Sequence, residues 1–230
     1  MNIAVLLSGC GVYDGTEIHE AVLTLLAIAQ QGAKAVCVAP NYDQHHVINH
    51  LTGKEMSEKR NVLVESARIA RGEIQDVSQV DTSSLDALML PGGFGTAKNF
   101  TKWAFQGEKG EIQPVIKTFI QHFVKEKKPI GAVCMSPTTV AKALEGTGIR
   151  PTLTVGNTGE SSPYDIKSIS EGMERIGVNV VMCPKIGLIV DKENNIVTSP
   201  CYMLEASIVE VYEGIRKTVA ELIALRKNKN

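Results

Sequence analysis

No apolar run in the 230 residues approaches the roughly 18 that a membrane-spanning helix needs. Charge of one sign is also missing. Lys plus Arg number 24 and Asp plus Glu 25, which argues against a nucleic-acid surface, where a basic excess is expected, and against an acidic disordered tail. The five cysteines, at 10, 37, 134, 183 and 201, are odd in number and contain no CxxC pair, so they read as free thiols rather than a disulfide framework. The run Met1-Asn2-Ile3-Ala4-Val5-Leu6-Leu7 has neither the basic region nor the cleavage pattern of a signal peptide, and no Arg-rich presequence precedes it, which reads as cytoplasmic. No repeat and no low-complexity linker interrupts the chain. No histidine follows Cys134, and no His or Cys spacing suits a metal, so neither a metal nor another cofactor is expected.

What is present is an alternation of short apolar runs and amphipathic segments. Strands are expected at Ile3–Leu7, Ala35–Ala39, Asp86–Leu90, Pro129–Val133, Thr152–Val155 and Val178–Met182, with a hairpin of Gly187–Asp191 and Asn195–Ser199. Helices are expected at Thr16–Gln31, Asn61–Ala70, Ile112–Lys125, Pro137–Leu144, Ile166–Arg175 and Leu204–Leu225. Such alternation predicts a mostly parallel sheet covered by helices. A chain of this length buries enough surface to fold without disulfides or metal. It reads as one domain over residues 1–225, with 226–230 a frayed tail.

In a doubly wound sheet the chemistry lies beyond the carboxyl ends of the strands. After the first strand, Ser8-Gly9-Cys10-Gly11-Val12-Tyr13-Asp14-Gly15 is either a phosphate-cradling loop or a tight turn. The acidic residue a dinucleotide site wants about 20 residues on is absent from Ala39-Pro40-Asn41, and Cys10 could face the pocket. Glu17 and Glu20 open the next helix one turn apart, as caps or as chemistry. Pro91-Gly92-Gly93-Phe94-Gly95 offers backbone amides of the kind that line an oxyanion hole, or a plain loop. Gly131-Ala132-Val133-Cys134-Met135-Ser136-Pro137 is the strongest signal. A buried strand runs into a cysteine and a helix starts at once, the layout of a nucleophile elbow. A thiol there would have a lowered pKa, whereas an inert buried cysteine has the same pattern. Cys37 reads as core, while Cys183 and Cys201 end strands and are candidates to line the same crevice.

Three stretches resemble the ElbB family: Ser8 to Glu20, Arg60-Asn-Val-Leu-Val-Glu-Ser-Ala-Arg-Ile-Ala-Arg-Gly72 and Leu90-Pro-Gly-Gly-Phe-Gly-Thr-Ala-Lys-Asn99. That family, also called sigma cross-reacting or isoprenoid-biosynthesis proteins with an amidotransferase-like domain, belongs to the PfpI-like superfamily. The resemblance implies a flavodoxin-like three-layer α/β/α sandwich, commonly dimeric, with the elbow cysteine at Cys134. It also implies a glutamate in the first helix bonded to that thiol. Glu17-Ile-His-Glu20, with Gly32 twelve residues after Glu20, fits the pattern at Glu20, with Glu17 in reserve. The oxyanion region falls on Gly92 and Gly93. Met135 stands where protease-like members have histidine, and no later histidine appears near Thr154–Gly159, which weakens the peptidase and amidotransferase readings.

The resemblance therefore implies a cofactor-independent glyoxalase. Cys134 adds to glyoxal or methylglyoxal, Glu20 shuttles a proton, and a 2-hydroxy acid leaves. Other readings are a redox sensor or chaperone using Cys134, a nucleotide-binding protein using Gly9, Gly11 and Gly15, and an accessory protein of isoprenoid metabolism. A small dicarbonyl and a second copy of the chain are the expected partners, with no nucleic acid and no membrane. Phe100, Trp103 and Phe105 are candidate interface residues or core.

Overall fold

The structure, a computed structural model, describes residues 1–227. In chain order its elements are β1 (Asn2–Leu6), α1 (Ile18–Gln30), β2 (Lys34–Ala39), α2 (Val62–Ile69), β3 (Ile74–Asp76) and β4 (Ala87–Leu90). A π-helical turn (Thr96–Phe100), the short α3 (Trp103–Gln106), α4 (Pro114–Lys125), β5 (Ile130–Val133) and α5 (Ser136–Leu144) follow. The chain then forms β6 (Thr152–Leu153), α6 (Ile166–Arg175), β7 (Asn179–Val180), β8 (Ile189–Asp191), β9 (Ile196–Ser199) and α7 (Ile208–Lys227).

Seven strands form one sheet in the order β3-β2-β1-β4-β5-β9-β8, parallel except for β8, which pairs antiparallel with β9. Every residue of β4 and β5 is buried, as expected of strands covered on both faces. α1, α2 and α7 cover one face and α4 and α5 the other, which makes the three-layer flavodoxin-like sandwich. Leu6, Leu88, Leu90 and Ile130 are fully shielded between the layers, each contributing about 1.5–3 kcal/mol relative to exposure. Strand order reverses between β1 and β4. The crevice at that switch point, at the carboxyl ends of the strands, is where such sheets bind ligands.

The expected strands and helices are found, with the π-helical turn and α3 added and with the following differences. β3 is an edge strand of three residues with no apolar run to announce it. The segments at Thr152 and Val178 shrink to two residues each and pair in a separate small sheet. The terminal helix starts later than expected because Ser207 and Glu210 bond reciprocally as a capping box. It also continues through Arg226, which pairs with Asp86, and Lys227; the rest of the expected tail, 228–230, lies outside the described residues. Phe100 and Trp103 are buried in the chain's own core, so they offer nothing to an interface, while Phe105 is exposed and packs on His45. No described helix is long and apolar enough to cross a membrane.

Candidate active site

β5 delivers the chain to Cys134 at the centre of the crevice. The residue takes the left-handed conformation, φ 59°, which costs a side-chain-bearing residue roughly 1–2 kcal/mol. The turn is held from both sides. The Cys134 N–H donates to Ser199 O on β9 at 3.0 Å, and Ser136 Oγ lies 2.8 Å from both Leu90 O and Val133 O. Pro137 sits in the first turn of α5, where its missing N–H costs nothing.

Glu20 reaches the same point from α1. It is fully buried and hydrogen-bonds the Cys134 thiol. Its Oε2 accepts the Gly92 N–H at 2.8 Å and its Oε1 the Tyr202 N–H at 3.3 Å. Only glycine fits at position 92, because a Cβ there would lie 2.4 Å from Cys134 Cβ and 2.7 Å from Glu20 Oε2. Glu17 takes the other role. Its carboxylate caps α1 by accepting the Glu20 N–H at 2.6 Å, and its own N–H donates to Gly92 O. Between the two glutamates, the structure brings Glu20 to the thiol.

Burial dominates the electrostatics. It raises Glu20 to about 8, helped by the charge of Glu17, while bonds from Gly92, Cys134 and Tyr202 pull the other way. It also pushes the Cys134 thiol up, followed by the repulsion of Glu20, against a hydrogen bond from the Gly93 N–H. The lowered thiol pKa expected from a helix N-terminus is therefore corrected. At 5% exposure, desolvation is the largest influence on the thiol and raises it. Burial thus favours the protonated form of both groups.

The two glycine amides are already engaged, Gly92 on Glu20 and Gly93 on the sulfur. The expected pair of oxyanion donors is thus revised. Gly93 points at the reacting atom, and the Met135 N–H, at the start of α5, has no acceptor among the described residues. Met135 itself is buried beside the thiol turn. Cys201, fully buried and left-handed at φ 46°, lies within electrostatic reach of both Cys134 and Glu20. Cys183 does not, for it sits near Glu160. Cys10 turns away as well. The Gly9 N–H donates to Ser66 Oγ of α2, so Cys10 faces Glu65 and Arg68 rather than the pocket. The Ser8, Gly9, Gly11 and Gly15 amides are all bonded within the protein, which leaves no phosphate cradle in that loop.

Beside the dyad opens a cleft of about 750 Å³, walled by Tyr13, Glu17, Phe94, Lys98, Tyr164 and Tyr202. Cys134 and Glu20 lie behind this wall, reached through Tyr202, whose N–H bonds Glu20, and Tyr164, which feels the charge of Cys134. The Phe94 and Tyr164 rings meet edge to face at 5.8 Å. Sequence reasoning missed Lys98, Tyr164 and Tyr202. Tyr202 follows a strand end and had the right address, but Tyr164 comes from a loop with no such mark. It also missed Asn99, whose amide donates to Ser8 O and Asp14 O while its oxygen accepts the His45 N–H, joining three loops around the crevice. Among the described residues no group of three or more His, Cys, Asp or Glu is placed to hold a metal ion.

The DJ-1/PfpI family profile matches residues 9–201. The human glutamine amidotransferase-like class 1 domain-containing protein 3, mitochondrial, is 37% identical over 227 residues, covering 97% of this chain and 82% of that protein. The rat ES1 protein homolog, mitochondrial, is 39% identical over 228 residues, covering 97% and 83%. Among solved structures, an isoprenoid biosynthesis protein with amidotransferase-like domain from Ehrlichia chaffeensis superposes with a TM-score of 0.88 at 36% identity, covering 98% of this chain and 99% of that one. Drosophila melanogaster DJ-1beta, at 17% identity and a TM-score of 0.55 over 99% of this chain and 95% of its own, shares the fold.

Proposed function

Since the chain belongs to the DJ-1/PfpI family, whose fold sets a thiol at the carboxyl edge of a parallel sheet, we propose that the Cys134 turn is a nucleophile elbow and that the protein is a cofactor-independent glyoxalase acting on α-oxoaldehydes. The observation that carries this reading is the buried pair itself. Glu20 is hydrogen-bonded to the thiol, raised to about 8 and fixed by two backbone amides, with no histidine among the partners of either group.

Glu20 takes the thiol proton as sulfur bonds to the aldehyde carbon, and the proton passes to the new oxygen, giving a hemithioacetal. Glu20 then removes the proton from that carbon and returns one to the neighbouring carbonyl carbon. The first carbon is oxidised and the second reduced, so no outside redox partner is needed. The product of this step is a thioester on Cys134, and water cleaves it to the 2-hydroxy acid and the free thiol. The Met135 and Gly93 amides are the donors that face the developing oxyanion. A carboxyl group near pH 8 suits this alternation, because it both gives and takes a proton close to neutrality.

Two alternatives fit less well. A redox sensor wants an exposed thiol of low pKa, and Cys134 is buried and pushed up. An amidotransferase wants a general base of the histidine type beside the cysteine, and none is present among the described partners. The chemistry requires only a compartment that keeps thiols reduced, which the cytoplasm and the mitochondrial interior both provide.

The test is glyoxal and methylglyoxal turnover by wild type and Cys134→Ser in buffer free of thiols and metals, with 2-hydroxy acid measured directly. Acid release that disappears in the variant is the expected result. Equal release by both proteins, or none by either, would sink the reading.

A further inference from the structure

The cleft whose Tyr164 and Tyr202 wall adjoins the dyad is larger and more aromatic than a two-carbon dialdehyde needs. Its volume of about 750 Å³ falls in the range of roughly 300–1,000 Å³ that encloses drug-sized ligands. Tyr13, Phe94, Tyr164 and Tyr202 give it flat walls, and these gain most from a planar guest through stacked or edge-on contacts. A small hydrated aldehyde would leave those faces unmatched.

Among these rings stands one ammonium. Lys98 lies on the π-helical turn, its Nζ donating to Tyr13 O at 2.7 Å and lying 5.2 Å from the centre of the Phe94 ring. No carboxylate comes within ion-pair distance of it among the described residues. Asp14 and Glu55 act on it only from further away, and Asp14 is occupied by the Ile48 N–H at 2.6 Å. The contrast with the buried Lys142 is plain, since that ammonium is already held by Glu145 Oε2 at 2.5 Å and Glu108 O at 2.8 Å. Half-buried and unpaired, Lys98 has donors to spare on the cleft wall, and partial removal from water strengthens any charge-assisted bond it makes.

We infer that the cleft selects an α-oxoaldehyde bearing a flat apolar group with an anionic end, the flat group lying between the aromatic walls and the anion meeting Lys98. This rests on the α-oxoaldehyde chemistry proposed above and names the class of substrate that would use it. Lys98 is then a specificity-determining residue, and the aldehyde is placed over Cys134 by binding at the far end of the molecule.

Two measurements separate the substrate class from the reaction. In the first, kcat/KM is compared for glyoxal, phenylglyoxal and 4-carboxyphenylglyoxal with wild type, Lys98→Met and Lys98→Arg. Wild type should prefer the carboxylated aryl substrate to phenylglyoxal by about tenfold. The preference should fall to about one in Lys98→Met and survive in Lys98→Arg, which guards against a folding defect. In the second, calorimetry follows binding of mandelate and 4-carboxymandelate to Cys134→Ser, with and without Lys98→Met. The second ligand should bind about tenfold tighter, and only when Lys98 is present. Glyoxal as the best substrate, or a carboxylate preference that Lys98→Met leaves intact, would overturn the inference. Selective binding without turnover of any aldehyde would uphold the ligand class and overturn the reaction, whereas turnover with no preference in either measurement would do the reverse.

Discussion

At the scale of single residues, the site is set by what has no side chain, at Gly92, and by what has no water, at Glu20 and Cys134. Gly92→Ala would drive a methyl into Cys134 and Glu20, so we expect activity to be lost along with roughly 1–3 kcal/mol of stability, read from turnover and urea melts together. Gly32→Ala is the contrasting case. It meets open space at φ 69°, so it should carry a modest stability cost from backbone strain and leave turnover intact. Glu20→Gln keeps the shape but cannot accept a proton, and turnover should fall by about 10²–10⁴. Because Glu20 titrates near 8, kcat/KM of the wild type should climb as pH rises toward 8, when the carboxylate becomes free to take the thiol proton. A flat profile between pH 6 and 8 would remove Glu20 from that role. Cys134 was legible in the sequence because a strand, a cysteine and a helix start follow in the seven residues Gly131 to Pro137. Its titration was not, because desolvation depends on the Gly92 loop and β9, which arrive from distant parts of the chain.

At the scale of elements, legibility followed length and patterning. β1, β4, β5 and the long helices carry continuous apolar runs or clear helical periodicity, and the structure has them within a few residues of expectation. β3, with three residues, and the π-helical turn carry neither signal, since both are set by tertiary partners. The start of α7 was readable in Ser207 and Glu210, where a capping box outranks the apolar Leu204 before it. The π-helical turn is fastened by Asn99, which bonds to the Ser8, Asp14 and His45 backbones. Asn99→Ala would leave the buried Ser8 and Asp14 carbonyls unsatisfied, at a cost of about 1–3 kcal/mol. We expect a lower Tm and faster amide exchange in residues 41–50, with α4 and α5 protected as before; unchanged exchange in that loop would show that other contacts hold it.

For the molecule as a whole, the buried glutamate links folding to pH. Its ordinary value of 4.5 is raised to about 8, so the folded chain keeps a proton that the unfolded chain releases throughout that interval. Its contribution to stability is fully present below about 4.5 and is lost as pH rises toward 8. Melts at pH 5 and pH 8 should show a decline in wild type that is reduced in Glu20→Gln, and equal slopes would remove Glu20 as its source. The sheet itself ends in β3 on one side and β8 on the other, each three residues long and each closing on an aspartate, Asp76 and Asp191. A broad sheet invites other chains to extend it through its unpaired backbone, and margins three residues long give an incoming strand too little ladder to hold, the more so at β8, where Asp191 is buried and bonded to the Thr152 N–H of the neighbouring small sheet. The protein should therefore stay free of edge-to-edge fibrils when crowded, even though the middle of its sheet is built of buried apolar strands.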